Sequence, residues 1–247
     1  MKVYGLLGLS LGHSFSQKYF TEKFQKENIK DCLYSNFEIA SLIDGIPLLK
    51  QMRELSGLNV TIPYKAGIIP FLDELSAECT EMNACNCIKI TRGKWIGHNT
   101  DVTGFETSFR PLLQAHHTKA LILGTGGAAS AVAFVLKKAG ISFLYVSRTP
   151  NALLPSIGYE KIDSQILKEY KIVINTTPSG MYPNVDDYPK IPYEYIGPQH
   201  YFFDLIYNPG KTLFLKKAAM QGAMIMNGSM MLEIQAEESW KIWNGDD

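Results

Sequence analysis

The sequence predicts an α/β protein with two units, and three features of the chain indicate this fold class. Short apolar runs alternate with segments of helical spacing along nearly all of its 247 residues, which is typical of sheets joined by crossover helices. In the first part of the chain, Arg92-Gly93 separates two strand-like runs and predicts a hairpin, so the sheet there should be mixed. In the second part, continuous apolar runs predict a buried parallel sheet.

The order of the elements follows from the same patterns. The predicted strands of the first part are "VYGLLG", "LYSNFEI", "LNVTI", "CIKI" and "WIG", and its helices are predicted at 16–27, at 42–55 and after Lys65. The second part begins with a helix at 103–115 and continues with the strands "KALILG", "SFLYVSRT", "KIVINTT", "YFFDLIY" and "AMIMN". Its other helices are "GAASAVAFVLKKAG", 212–221 and "SMMLEIQAEESWKIW", whose apolar stripe runs near Met231, Ile234, Ser239 and Ile242.

Composition excludes several classes of protein. Lys plus Arg and Asp plus Glu both number 24, so the chain has no net charge and no charged block for nucleic acid or a charged membrane surface. No run approaches the roughly 18 apolar residues of a membrane span, and "MKVYGLLGLSLGHS" has no basic region before a long apolar run. The cysteines, at 32, 79, 85 and 87, lack CxxC spacing and a nearby histidine cluster. We expect buried free thiols, no metal site and a reducing, cytoplasmic setting.

A candidate site residue follows the run Leu58–Ile62. This run alternates apolar with polar residues, so it predicts a strand with Asn59 and Thr61 on one face. Pro63 ends the strand and leaves Lys65 at its exit, where sites are commonly built. The alternative is a solvated lysine that opens a helix.

A glycine-rich turn predicts a dinucleotide site. The stretch "LILGTGGAAS" places Gly124, Gly126 and Gly127 between a buried strand and a helix, with Ala128 and the small Ala129 following. Glycines allow the tight turn and let backbone N–H groups approach a pyrophosphate at the helix N-terminus. The alternative is a tight turn that serves packing alone.

The next strand ends without the acid that would favour NAD. A carboxylate at that point accepts hydrogen bonds from the ribose 2′-hydroxyl, but this chain has Ser147, Arg148 and Thr149 there. A guanidinium and two hydroxyls suit the 2′-phosphate of NADP, so NADP is the predicted cofactor. The alternative is an exposed loop arginine.

Several motifs in register span nearly the whole chain: "GHSFS", "NVTIPYK", "NACN", "HNTD", "GTGGAAS" with "SRT", "NTTPSGM", "FDLIYNPGKTLFL" and "NGSMMLEIQ". Together they resemble the shikimate dehydrogenase family, which reduces 3-dehydroshikimate to shikimate with NADPH in the shikimate pathway of aromatic amino acid biosynthesis. The resemblance implies a substrate domain at 1–100, completed by 228–247, and a Rossmann NADP-binding domain at 101–227. It also implies that the C-terminal helix returns to the first domain.

The resemblance also implies residue roles. Lys65 and Asp101 would be the catalytic pair beside the reacting oxygen, with a lysine–aspartate salt bridge as the structural alternative. Ser14 and Ser16 would hold the substrate carboxylate, although either could instead cap a helix. The ring hydroxyls would be contacted by Asn59, Thr61, Asn86, Gln235 and, unless it only packs in the core, Tyr207. The dinucleotide would also lie beside Thr176, Pro178, Ser179, Met224 and Gly228.

The larger departure from the family pattern and three alternative functions stay open. The segment 150–170 is short and leaves little room for the usual helix and strand after the 2′-phosphate loop. The alternatives are a quinate-accepting relative that uses NAD or NADP, a dinucleotide-binding module without catalysis, and an enzyme like methylenetetrahydrofolate dehydrogenase. Lys65 and Asp101 argue against the second, and the paired serines with "HNTD" argue against the third. The expected partner is a small molecule, and the chain should be a monomer or a homodimer.

Overall fold

The computed structural model describes residues 1–12, 15–150 and 153–245 and divides into two units. The first unit holds Met1–Thr100 together with the chain from Ala236 onward, and the second holds Asp101–Gln235. The boundary at which the chain returns to the first unit lies between Gln235 and Ala236, inside the last helix, whereas the sequence predicted it between 227 and 228. Gly228 and Gln235 therefore belong to the second unit.

The first unit contains a mixed six-stranded sheet in the order β2-β1-β3-β5-β6-β4. Its strands are β1 (Lys2–Gly8), β2 (Cys32–Glu38), β3 (Leu55–Val60), β4 (Glu74–Leu75), β5 (Cys87–Thr91) and β6 (Lys94–His98). Strand β1 pairs parallel with β2 and β3, while β5 pairs antiparallel with β3 and β6. The β5–β6 turn has Arg92 at φ 50° and Gly93 at φ 78°, so the predicted hairpin is confirmed.

The helices of the first unit are short, and two boundaries differ from the sequence-based expectation. They are α1 (Phe15–Lys26), α2 (Leu42–Leu49), α3 (Tyr64–Gly67) and α4 (Ala77–Met82). Helix α2 ends at Leu49 rather than at 55, because the chain turns through Met52 and enters β3 at Leu55. Strand β3 ends at Val60, so Thr61 lies just outside it, although its N–H still donates to the Leu7 carbonyl at 2.9 Å.

The second unit contains a parallel six-stranded sheet in the order β12-β11-β10-β7-β8-β9. Its strands are β7 (Lys119–Leu123), β8 (Ser142–Val146), β9 (Ser156–Ile157), β10 (Ile172–Asn175), β11 (Tyr201–Asp204) and β12 (Met224–Met226). Counted from β7, this is the order 3-2-1-4-5-6 of the Rossmann fold. The short segment after β8 still forms the third strand, but β9 has only two residues.

The helices of the second unit include α5 (Asp101–Phe109), α6 (Gly127–Lys138), α7 (Ser164–Glu169) and α8 (Leu213–Met220). Helix α5 begins at Asp101 and gives way to a 3-10 turn at Arg110–Leu112, so the predicted helix at 103–115 begins and ends earlier than expected. An apolar core cluster of this unit includes Leu121, Val173, Phe202 and Phe214.

The last helix, α9 (Ser229–Asn244), completes the first unit with its C-terminal part. Trp243 stacks on Tyr4 with 4.8 Å between ring centroids and packs near Phe20 and Tyr34 in one aromatic cluster. The Trp243 indole N–H also donates to the Ile88 carbonyl at 3.0 Å. This packing confirms that the C-terminal helix returns to the first domain.

Three sequence-based expectations concern the whole chain. All four cysteines are free, and three are buried as predicted, but Cys32 is only half-buried. Within residues 1–12, 15–150 and 153–245, no helix combines the length and apolar character that a membrane crossing needs. In the same ranges, no group of three His, Cys, Asp or Glu side chains is arranged to hold a metal ion.

Candidate active site

The predicted substrate residues of the first unit gather where β3 ends and β5 begins. Lys65 lies in α3 with its side chain half-buried, and its backbone carbonyl accepts a hydrogen bond from the Cys85 N–H at 2.7 Å. Asn86 follows Cys85, and its carbonyl accepts from the Val60 N–H at 2.8 Å. The backbone therefore ties the Lys65 helix to the segment that leads into β5 and carries Asn86.

Asn86 also fixes the residue that precedes Asp101. Its buried side-chain oxygen accepts from the Thr100 N–H at 2.7 Å, and its Nδ2 donates to Thr100 Oγ1 at 3.1 Å. Asp101 is the first residue of α5 and is only 2% exposed. A carboxylate at a helix N-terminus interacts favourably with the helix dipole.

Asn59 lies in β3 and is held by two side chains that the sequence did not assign to the site. Its Oδ1 accepts from the Tyr34 hydroxyl at 2.9 Å, and its Nδ2 donates to Ser239 Oγ at 2.8 Å. Ser16, in the first turn of α1, hydrogen-bonds the Tyr34 hydroxyl, which lowers the tyrosine pKa. Burial is the larger effect and raises the pKa of Tyr34 well above its ordinary value. Tyr34 therefore stays a neutral hydrogen-bond donor.

The remaining substrate candidates are placed as follows. Thr61 is half-buried directly after β3, with its methyl group beside Gly8. Ser14 lies outside the described residues. In the second unit, Tyr207 follows β11 and is half-buried, and burial raises the pKa of its phenol. Gln235 lies on α9, where Gly104 allows α5 and α9 to approach closely.

The glycine turn of the second unit leads from β7 into α6. Gly124 has φ +107°, a conformation that L side chains rarely adopt, and a Cβ there would stand 2.7 Å from Thr176 Oγ1. Thr176 Oγ1 in turn donates to the Leu123 carbonyl at 2.7 Å. Gly126 caps α6 in an extended conformation, and a Cβ there would meet nothing within 4 Å. The helix N-terminus is therefore open beside Gly126, as a pyrophosphate requires.

The residues after β8 form a compact turn with an exposed cation. The Ser147 hydroxyl donates to the Thr149 carbonyl at 3.1 Å and accepts from the Thr149 N–H at 3.2 Å, so it shapes the turn. Arg148 and the Thr149 side chain are exposed. The turn contains no acidic residue.

A network of buried polar groups holds the "NTTPSGM" loop after β10. Asp204 Oδ1 accepts from Asn175 Nδ2 at 3.0 Å, and its Oδ2 accepts from Thr212 Oγ1 at 2.6 Å. Asn175 Oδ1 accepts from Thr177 Oγ1 at 2.6 Å. Burial raises the pKa of Asp204 to about 6. The sequence analysis did not single out Asp204, although "FDLIY" puts an acid at the end of a buried strand.

Within this loop, the exposed Pro178 precedes Ser179, whose hydroxyl donates to Asp187 Oδ2 at 2.6 Å. This hydrogen bond lowers the pKa of Asp187. The loop therefore has a defined shape at the carboxyl ends of the parallel strands, where Gly124 also lies.

The position of Met224 corrects one expectation. Met224 begins β12 and pairs with Tyr201 at the start of β11, so it lies at the amino ends of the strands, opposite the glycine turn. Met226 ends β12 and stands at the carboxyl ends instead. Gly228 follows, where a Cβ would collide with the Leu205 carbonyl, so only glycine fits. We replace Met224 with Met226 in the candidate cofactor site.

The fold order and the glycine turn define a dinucleotide-binding protein of the Rossmann class, joined to a mixed α/β unit with a cluster of lysine and carboxamide side chains. Residues 6–88 match the family described as the shikimate dehydrogenase substrate binding domain. A Carboxydothermus hydrogenoformans protein named shikimate dehydrogenase (NADP(+)) is 36% identical, over 99% of this chain and 92% of that protein. The same name belongs to a Desulforamulus reducens protein that is 32% identical, over 99% of this chain and 90% of that one.

Solved structures of shikimate dehydrogenases have the same fold as this chain. The crystal structure of shikimate dehydrogenase from Aquifex aeolicus has a TM-score of 0.89 and 31% identity, covering 100% of this chain and 93% of that one. The Thermus thermophilus enzyme, in complex with NADP(H) and shikimate, has a TM-score of 0.87 and 29% identity, covering 100% and 94%. The chain belongs to the shikimate dehydrogenase family.

Proposed function

We propose that this protein is an NADP-dependent oxidoreductase that interconverts shikimate and 3-dehydroshikimate, acting on the C3 hydroxyl. The observation that carries the proposal is the near-full-length likeness to relatives named shikimate dehydrogenase (NADP(+)), in a chain that retains both Lys65 and Asp101. The reaction belongs to the shikimate pathway of aromatic amino acid biosynthesis. A cytoplasmic setting and a monomeric or homodimeric state remain predictions.

The residues of the second unit fit NADP, which accepts or supplies the hydride when bound. The open N-terminus of α6, with Gly124, Gly126, Gly127 and Ala128, offers backbone N–H groups to a pyrophosphate. Arg148 and Thr149, both exposed, would bind the 2′-phosphate. The nicotinamide end of the cofactor would lie beside the loop that holds Thr176, Pro178 and Ser179. Met226 and Gly228, at and after the carboxyl end of β12, would line the same end.

Lys65 and Asp101 would carry the proton chemistry. When a ketone is reduced, negative charge develops on its oxygen, and an ammonium group there both stabilises that charge and supplies a proton. In the reverse direction, the same amine accepts the proton of the hydroxyl. Asp101 would accept a hydrogen bond from the reacting hydroxyl through its carboxylate. Both roles are carried from the family resemblance onto these two positions.

The substrate would be held by groups that suit a polyhydroxy acid. The hydroxyls of Ser14 and Ser16 can donate to the two carboxylate oxygens. The ring hydroxyls would contact side chains that can each donate and accept a hydrogen bond. These are the side chains of Asn59, Thr61, Asn86, Tyr207 and Gln235.

Steady-state kinetics with two acids and two cofactors tests the proposal. Purified protein is mixed with shikimate or quinate, each with NADP or NAD, and the absorbance of reduced nicotinamide is followed. We expect kcat/KM to be highest for shikimate with NADP. Comparable efficiency on quinate would overturn the narrow substrate assignment, and absence of turnover with every pair would overturn the proposed activity.

A further inference from the structure

The carboxamide of Asn59 is oriented by a serine that reaches it from the C-terminal helix. We propose that Ser239 is a positioning residue that fixes the Asn59 amide so that only its oxygen remains to meet a substrate hydroxyl. This inference rests on the proposed function, in which Asn59 contacts a ring hydroxyl. It assigns that contact a direction: the substrate hydroxyl donates and Asn59 accepts.

The hydrogen bonds of Asn59 account for both of its N–H groups. Nδ2 donates to Ser239 Oγ at 2.8 Å and, more weakly, to the Asn86 backbone carbonyl at 3.4 Å. Oδ1 accepts from the Tyr34 hydroxyl at 2.9 Å. A carboxamide has two N–H donors and two acceptor lone pairs, so one lone pair on Oδ1 remains for a ligand.

The surroundings also determine which way the amide faces. The Asn86 carbonyl can only accept, so the nitrogen of Asn59 must point toward it. A flipped amide would put two oxygens in contact at that point. The Tyr34 phenol is 2% exposed, and burial disfavours its ionised form, so it supplies a donor to the oxygen side. The amide is thus clamped between a donor on one side and two acceptors on the other.

Ser239 is fully buried inside the first unit, where its hydroxyl holds this arrangement. Its side chain is 0% exposed and lies 3.4 Å from Thr100 Oγ1, which in turn binds Asn86. Ser239 therefore links Asn59 to the Thr100–Asn86 pair inside the first unit. Removing its hydroxyl would leave a buried N–H of Asn59 without its best acceptor, which lets the amide rotate.

A double-mutant cycle distinguishes positioning from packing. We expect Ser239→Ala to raise the KM for shikimate about tenfold, the scale of one lost hydrogen bond, with kcat and the KM for NADP changed less than about twofold. In an Asn59→Ala background, Ser239→Ala should leave the KM for shikimate unchanged, because Ser239 acts through Asn59. Ser239→Cys, with a weaker acceptor of similar size, should give an intermediate KM.

A matched control removes a different buried hydroxyl. Ser108 is 0% exposed on α5 and bonds only to the helix carbonyls of Gly104 and Phe105, among the hydrogen bonds of the described chain. Ser108→Ala should leave the KM for shikimate unchanged, and near-ultraviolet circular dichroism verifies that each variant is folded.

The outcomes separate this inference from the proposed function. If the effects of Ser239→Ala and Asn59→Ala on the shikimate KM multiply, or if Ser239→Ala and Ser239→Cys leave it unchanged, the positioning role is wrong while the activity stands. If the wild-type protein does not oxidise shikimate at all, the proposed function fails and the inference fails with it.

Discussion

Arg148 shows how one residue can select a cofactor. It lies in the turn after β8, where a carboxylate would bind the ribose 2′-hydroxyl of NAD, and it is exposed beside Ser147, which shapes that turn. A guanidinium matches a phosphate with charge-assisted hydrogen bonds, each worth about 1.5–3 kcal/mol.

We expect Arg148→Ala to raise the KM for NADP about 10- to 100-fold, because the 2′-phosphate loses a charged partner, while the KM for NAD stays within about twofold. Initial rates with each cofactor at saturating shikimate measure both constants. Lys168→Ala removes another exposed cation of the same unit and serves as the control. An unchanged KM for NADP in Arg148→Ala would remove this role.

Site residues whose position is set by a local strand–turn–helix pattern could be predicted from the sequence. Residues that meet only because distant parts of the chain pack together could not. Arg148 and the glycine turn are recognisable because the strand–turn–helix pattern fixes their place. Ser239 was recognisable only as part of an apolar helix stripe. Its contact with Asn59 spans 180 positions of sequence, and the Thr100 contact spans 139, so neither follows from local spacing. Tyr34 was missed because its contact with Asn59 joins two separate strands, whereas Asp204 was missed although "FDLIY" places an acid at the end of a buried strand.

At the scale of elements, long periodic segments were predicted well and short ones were not. The two-residue strands β4 and β9 have too few positions to show alternation, and pairing with β6 and β8 alone defines them. The end of α2 was misplaced because the apolar residues Met52 and Leu55 continue the helical spacing while serving the core beside β3. Tertiary packing overrides local pattern at such boundaries.

The docking of α9 on the first unit depends on a glycine in β3. A Cβ on Gly57 would collide with the indole of Trp243. Gly57→Ala is therefore expected to destabilise the first unit by about 1–3 kcal/mol, since overpacking forces Trp243 out of its place. Tryptophan fluorescence during thermal unfolding measures this change, because Trp95, Trp240 and Trp243 all lie in that unit.

Gly12→Ala is the control for the glycine substitution, since Gly12 lies in the same unit and a Cβ there would meet nothing within 4 Å. It should change the fluorescence midpoint little. If Gly57→Ala unfolds at the wild-type temperature, the close contact between β3 and α9 does not contribute as the structure indicates.

At the scale of the whole molecule, acid sensitivity should arise from two buried histidines of the second unit. His117 Nδ1 accepts from the Gln114 N–H at 3.0 Å, and His200 Nδ1 accepts from the Gly197 N–H at 3.1 Å. Each Nε2 lies within hydrogen-bond distance of a backbone carbonyl, which requires a proton there. A ring nitrogen that accepts from a backbone N–H favours the neutral form, and burial lowers the pKa of each histidine.

A lowered histidine pKa means that the unfolded chain binds protons first, so stability falls as the pH drops below about 6.5. Asp204 opposes this trend, because its pKa is raised to about 6 and the fold binds its proton first. Comparing His200→Asn with the wild type isolates the histidine contribution. We expect the variant to lose less stability than the wild type between about pH 7 and pH 5 by scanning calorimetry. Equal losses would show that His200 does not contribute to the acid sensitivity.

One measurement tests most directly whether this chain oxidises shikimate with Lys65 as the proton-transfer group. The kcat for shikimate oxidation with NADP is compared between wild type, Lys65→Ala and the exposed-lysine control Lys30→Ala, with NADPH binding measured by fluorescence titration. We expect kcat to fall at least about 100-fold in Lys65→Ala alone, with the Kd for NADPH unchanged. A folded Lys65→Ala protein that turns over shikimate at the wild-type rate would contradict the account.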